Sequence, residues 1–292
     1  MMTLLLALQA AGPEAEPAAA VAHEGPSEIL MHHVLDQHLA HVVIGPFDLG
    51  PTKHLLFFIA VGLLVLAVMR WALASYRGGI PRGIGAFVEI LVIYIRDEVA
   101  EKNIGHGEGR KFTPLLLSFF FFILIAALLG LLPFPVYDTS SGRFTIVSAT
   151  PTGNIAVTLG LATVAFLAMQ YAGIRKYGLI GHFKNLVPPG LPAWLLPIMI
   201  PVEILGMFTK PFALMVRLFA NMLAGHMVIT VLLMLIPLMA AIRGVFGIAV
   251  IPVSLALALF IMLLELLVAL IQAYIFTLLT AIFIGMFAHP AH

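Results

Sequence analysis

Five stretches of this chain are too long and too apolar to fold in water: residues 54–74, 112–132, 154–172, 198–236 and 247–288. About 20 such residues in a helix cross the hydrocarbon core of a bilayer. Lipid admits only elements that satisfy their own backbone hydrogen bonds. The expected fold is all-α, a polytopic membrane protein with about five crossings. Charged residues make up 10% of the 292 residues, against about 25% in an ordinary soluble domain. The absence of cysteine excludes a disulfide frame, a thiol nucleophile and a thiolate metal site.

The remaining segments have other characters. Residues 1–22 hold a short apolar run and an Ala/Pro/Glu-rich stretch, read either as a signal peptide or as a disordered tail. Residues 23–53 read as an external N-terminal segment. Its His32, His33, His38 and His41 with Asp36 fit a solvated amphipathic segment better than a metal site, so no metal is expected. Residues 80–99 mix apolar positions with Arg82, Glu89, Arg96, Asp97 and Glu98, the pattern of an amphipathic helix lying on the membrane surface. Residues 133–153 read as a loop with Pro133, Pro135 and Gly142. The last two apolar segments would each reach about 60 Å at 1.5 Å per residue, twice the hydrocarbon thickness of about 30 Å. They must break or tilt, and Pro211 and Pro252 offer places to kink.

Lysine and arginine set the expected orientation. Arg70, Arg77, Arg82, Arg96, Lys102, Arg110 and Lys111 lie between the first two crossings, and Arg175, Lys176 and Lys184 follow the third. The other side has only Lys53, Arg143 and Arg243. The positive-inside rule puts the rich loops in the cytoplasm, with the N-terminus outside and the C-terminus inside.

Within the apolar segments stand residues that lipid tolerates poorly. Segment 198–236 carries Glu203, Lys210, Arg217, Asn221 and His226, and segment 247–288 carries Glu265, Gln272 and Tyr274. An arginine at mid-membrane costs about 2.5–3.5 kcal/mol on insertion scales, and such groups mark ion pathways. Glu203, Lys210 and Arg217 are seven apart and share one helical stripe, with Asn221 one turn further on. Lys210 can snorkel to the interface. Glu203 suits either a helix N-terminus or the lining of an ion exit. His226 lies two and a half turns beyond Arg217 and points the other way. The two segments run antiparallel. If Gln272 is level with Arg217, then Glu265 is level with His226. That places a His–Glu pair on the outer side and an Arg–Gln pair near the middle.

The run from Pro201 to His226, centred on Arg217-Leu218-Phe219-Ala220-Asn221-Met222, resembles the signature of the ATP synthase subunit a family. Gln272-Ala273-Tyr274-Ile275-Phe276 is similar to the family's second signature. Weaker likenesses are His32-His33, Gly79-Ile80-Pro81, Leu131-Leu132-Pro133 and Pro151-Thr152-Gly153-Asn154. The resemblance implies a stator subunit working against a ring of c subunits, each with one buried carboxylate, beside peripheral-stalk b subunits. Arg217 would hold the arriving carboxylate ionised and separate two half-channels. His226 and Glu265 would form the outer relay, in the order of mitochondrial members and reversed from the commoner bacterial order. Segment 112–132 is more apolar than in several members, so only Ser118, Asn154 and Thr158 offer themselves as further channel lining.

A titratable histidine suits protons, whereas sodium prefers a cage of oxygens. No G-x-x-x-x-G-K-[ST] or H-E-x-x-H motif occurs. The chain is expected to bind neither ATP nor a cofactor nor nucleic acid, and to carry no catalytic chemistry of its own. A secondary transporter with a midplane ion site is the alternative; it needs internal repeats, and none is visible.

Overall fold

The computed structural model describes residues 43–44, 47–48, 53–75, 83–132, 134–138, 143–147, 151–184, 193–240 and 245–289. Residues 1–42, with the signal or tail segment and the histidine cluster, lie outside the described residues, as do Gly79–Pro81, Pro133 and the turn at 241–244. The first described element is a two-residue ribbon, β1 (Val43–Ile44) against β2 (Phe47–Asp48). The rest is dominated by helices: α1 (Lys53–Ala74), α2 (Ile84–Tyr94), α3 (Lys102–Ile104), α4 (Glu108–Leu131), α5 (Ile155–Lys184), α6 (Leu196–Ala240) and α7 (Val245–Ala288). Five of them, α1, α4, α5, α6 and α7, are long and apolar enough to cross a membrane.

α4 is the hub. Half of its apolar stretch is buried, against 11–28% for the other four. Its Phe119 meets Phe276 of α7 edge to face, with ring centroids 5.3 Å apart, and Phe122 faces Phe58 of α1 at 5.2 Å. The outer helices leave Leu63, Leu66, Leu73, Leu205, Phe212, Leu263 and Leu267 exposed. That arrangement is unfavourable in water and suits lipid or a protein neighbour. Three buried hydroxyls are satisfied within their own helices: Thr113 donates to the Gly109 carbonyl, Thr277 to Ala273 and Thr280 to Phe276.

The segment expected on the surface forms α2, continues as a π-helix over Ile95–Glu101, and ends in α3. Its Ile95, Val99 and Ile104 enter the main core, while Phe87 and Ile90 stay exposed. Glu101 ties it to the start of α4. Arg110 Nε donates to Glu101 Oε1, and His106 Nδ1 lies 2.9 Å from Oε2. The end of α7 docks on the same place so closely that a Cβ on Gly285 would lie 2.0 Å from the Asn103 carbonyl oxygen.

Three expectations change. The loop after α4 contains a hairpin, β3 (Phe134–Asp138) with β4 (Arg143–Val147), in the register Asp138↔Arg143. The helix of the third crossing does not end at residue 172, and Arg175 and Lys176 are not in a loop. α5 stays helical through Arg175 and Lys176, turns at Gly178 (φ 70°, ψ 171°) and winds back. Only glycine adopts that conformation readily, and the turn brings His182 2.7 Å from Gln170 Oε1. Finally, α6 and α7 run unbroken through Pro211 and Pro252, so neither proline ends its helix. With 45 and 44 residues they span about 65 Å and can fit a bilayer only by tilting or projecting from it.

Candidate ion pathway

The antiparallel pair α6 and α7 carries the site, and side-chain contacts fix its register. His226 of α6 touches Glu265 of α7, and one turn closer to the middle Met222 and Ala269 share a buried cluster with Ala127 of α4. A further turn on, Leu218 and Ala273 are both fully buried in the main core. Nine residues back from His226 is Arg217, and nine forward from Glu265 is Tyr274, with Gln272 half a turn away. The structure therefore brings His226 and Glu265 together, and it sets Gln272 near the level of Arg217 without a hydrogen bond between them.

His226 and Glu265 form a buried acid–base pair. Glu265 is 6% exposed, a burial that a carboxylate tolerates only with a partner or a proton. Its Oε1 is 2.9 Å from His226 Nδ1. The other ring nitrogen, Nε2, lies 3.1 Å from the carbonyl oxygen of Gly130, one of the last carbonyls of α4 that no helical N–H reaches. A carbonyl only accepts, so Nε2 carries a hydrogen. One further proton then sits between Nδ1 and Oε1, either on an imidazolium facing a carboxylate or on a carboxylic acid facing a neutral ring. Glu265 Oε2 is buried without a hydrogen-bond partner, an open acceptor in an apolar wall. A cavity of about 50 Å³ lined by Gly130, Leu131, His226, Ile229, Thr230 and Met262 adjoins the histidine, with room for water. Gly225 makes the slot: a Cβ there would stand 2.8 Å from Glu265 Oε1 and 2.9 Å from its Cδ.

Arg217 lies near the midpoint of the apolar stretch Leu196–Leu233 and is exposed. Among the described residues it has neither an ion pair nor a hydrogen bond. Asn221 and the small residues Ala213, Ala220 and Ala224 are exposed beside it. The result is a flat face with one cation at its centre. Lys210 sits elsewhere, its Nζ 5.6 Å and 5.3 Å from the ring centroids of Phe283 and Phe287 near the end of α7. Glu203 is half-buried on the first part of α6. Gln272 is 3% exposed and its Nε2 has no hydrogen-bond partner. Tyr274 leaves this face: its hydroxyl is 3.3 Å from that of Tyr94 on α2.

The three further lining candidates are locally engaged. Ser118 donates to the Pro114 carbonyl, and Thr158 donates to the carbonyls of Asn154 and Ile155. Asn154 Oδ1 accepts from the Ala156 N–H as the N-cap of α5. Two polar groups of note were not foreseen from the sequence. The Gly130 carbonyl is a backbone group that no side-chain pattern reveals. Thr152, in the short 3-10 turn Pro151–Gly153, is fully buried with an unpartnered hydroxyl.

Comparison with known proteins gives the family. The family model described as ATP synthase A chain matches residues 55–285. The chain is 47% identical over 250 residues to the ATP synthase subunit a of Myxococcus xanthus, covering 85% of this chain and 76% of that protein. It is 41% identical over 312 aligned positions to that of Anaeromyxobacter dehalogenans strain 2CP-C, covering 96% and 76%. With that of Chloroherpeton thalassium it is 44% identical over 279, covering 90% and 77%.

Proposed function

This chain belongs to the ATP synthase subunit a family, the stator proton-channel subunit of F-type ATP synthases, and from that premise we propose how its own residues couple proton flow to rotation. The observation that carries the proposal is the exposure of Arg217 at mid-span without a partner in the described chain. Lipid cannot cover a bare guanidinium at that depth cheaply, so another protein surface with an opposite charge covers it. A ring of c subunits, each presenting one buried carboxylate, meets that requirement, and the small residues around Arg217 let such a ring slide past.

The proton route follows. From the outside a proton reaches the small wet cavity, passes to the His226–Glu265 unit and from there to a ring carboxylate. After a near-complete turn the carboxylate meets Arg217. The guanidinium favours the ionised form, and the proton leaves on the other side, with Glu203 and Gln272 along the exit. Arg217 cannot lose its own proton, so no proton crosses it directly. The proton is the ion of this family, and the imidazole of His226 can both accept and donate one. The chain itself needs no nucleotide or cofactor for this role. Other ATP synthase subunits are its partners, and peripheral-stalk b subunits would hold it against rotation. It is a multi-pass protein of the cell inner membrane, and the lysine and arginine bias supports an N-terminus outside and a C-terminus in the cytoplasm.

Cross-linking tests the proposal. Asn221→Cys lies one turn from Arg217 on the exposed face. Oxidation is expected to join it to cysteines placed beside the ring carboxylate in the assembled complex. A cysteine at Leu63 on the lipid-exposed side of α1 serves as the control and is expected to give none. Cross-linking from Leu63 alone would place the ring elsewhere and remove the basis for the mechanism.

A further inference from the structure

A second polar site lies far from the ion pathway, where the first turns of α4, the middle of α5 and the end of α7 converge. A cavity of about 460 Å³ opens there, lined by Glu108, Lys111, Phe112, Tyr171, Arg175 and Lys176 among others. That is within the roughly 300–1,000 Å³ of small-molecule sites. Three cations face one carboxylate, and the carboxylate is already engaged: Glu108 Oε2 lies 3.4 Å from His289 Nε2 and 3.9 Å from Lys176 Nζ. Lys111 and Arg175 have no carboxylate partner among the described residues. Arg175 is held in place by Tyr171, whose hydroxyl accepts from Nη1 at 2.9 Å and whose ring lies 5.7 Å from the guanidinium carbon. A guanidinium fixed this way is ready for a bidentate anion.

The floor of the cavity is apolar, formed by Phe112, Ala172 and Ala288. Just along α5 toward the bilayer, Leu167 and Val164 are exposed. The site therefore joins an anion-binding rim to a strip of acyl-compatible surface, at the end of the helix bundle where hydrocarbon gives way to water. We propose that this cavity binds the headgroup of an anionic phospholipid, its phosphate between Arg175 and Lys111 and its chains along α5. Basic pockets between membrane helices suit such headgroups. A free phosphate shares the charge but gains nothing from the apolar strip. The proposal does not depend on the role of Arg217.

The test uses the assembled complex. Native mass spectrometry counts bound phosphatidylglycerol in a background of phosphatidylcholine, for the unaltered protein, for Lys111→Gln with Arg175→Gln, and for the control Lys102→Gln. Losing the two cations is expected to weaken retention by roughly tenfold per charge-assisted bond, with the control unchanged. A photoreactive phosphatidylglycerol is expected to label the peptides around Lys111 and Arg175, which locates the site even if the double variant assembles poorly. Inorganic phosphate at millimolar concentration is expected not to displace the lipid. Equal retention by the double variant, labelling elsewhere, or full displacement by inorganic phosphate would overturn the proposal. So would cross-linking of Lys111→Cys to a stalk subunit in place of lipid.

Discussion

In the proposed relay Glu265, 6% exposed, and His226 share a proton. Together, 2.9 Å apart, they keep one proton mobile. Either His226→Ala or Glu265→Ala is expected to slow proton flux on the order of 10²-fold, the typical worth of a positioned proton-transfer group, without dissolving the complex. The exchanged pair, His226→Glu with Glu265→His, is expected to recover more than the two single losses multiplied together. Proton-pumping rates in inverted vesicles give all four corners of the cycle. Losses that simply multiply would mean the two side chains act separately. The sequence allowed this pair to be anticipated, because nine-residue and seven-residue spacings on antiparallel helices match levels. It could not show the Gly130 carbonyl that fixes the histidine tautomer, since that group comes from the end of a third helix.

At the scale of elements, the connection from α3 to α4 rests on Glu101. The Arg110 and His106 side chains that bond its carboxylate hold its pKa below the ordinary carboxylate range. A depressed folded pKa gives stability that is present above the unfolded value, about 4.3, and lost as pH falls through the folded one. Glu101→Gln is therefore expected to lower the melting temperature at neutral pH and to lose that difference progressively as pH falls below about 4.3 and through the depressed folded value. Melting curves across that window check it; a difference that persisted in acid would point to packing instead. Apolar length was enough to read α1 and α4 from the sequence, because the bilayer sets it. The end of α5 was misread because Arg175 and Lys176 resemble a loop, while the helix simply continues past the apolar zone until Gly178 turns it. The β3–β4 hairpin was hidden by Pro135, which a two-stranded ribbon tolerates at its edge. That hairpin and the α5 turn are expected on opposite sides of the membrane. Ser141→Cys should react with an impermeant thiol reagent from outside, and Tyr177→Cys from the cytoplasm. The reverse pattern would invert the topology.

On the scale of the whole molecule, two kinds of surface coexist. Most exposed leucine and phenylalanine suits lipid, whereas the face around Arg217 suits a moving partner. The proposal for that face was legible from Arg217 and its neighbours, since a charge at mid-span demands a purpose. A transporter built on a midplane site would bury such an arginine between its own helices, and here it faces outward. In the proposed mechanism energy coupling depends on one group, Arg217. A charge crossing the membrane releases about 2.3 kcal/mol per 100 mV, and the rotor captures it only while no proton bypasses the ring. The decisive measurement is made on Arg217→Ala with assembly confirmed. Passive proton flux is followed through membrane sectors stripped of the catalytic head, beside ATP synthesis by the intact enzyme. ATP synthesis is expected to vanish while a passive leak appears, and Arg217→Lys is expected to couple poorly because a desolvated lysine can lose its proton. Near-normal ATP synthesis by Arg217→Ala would contradict the mechanism.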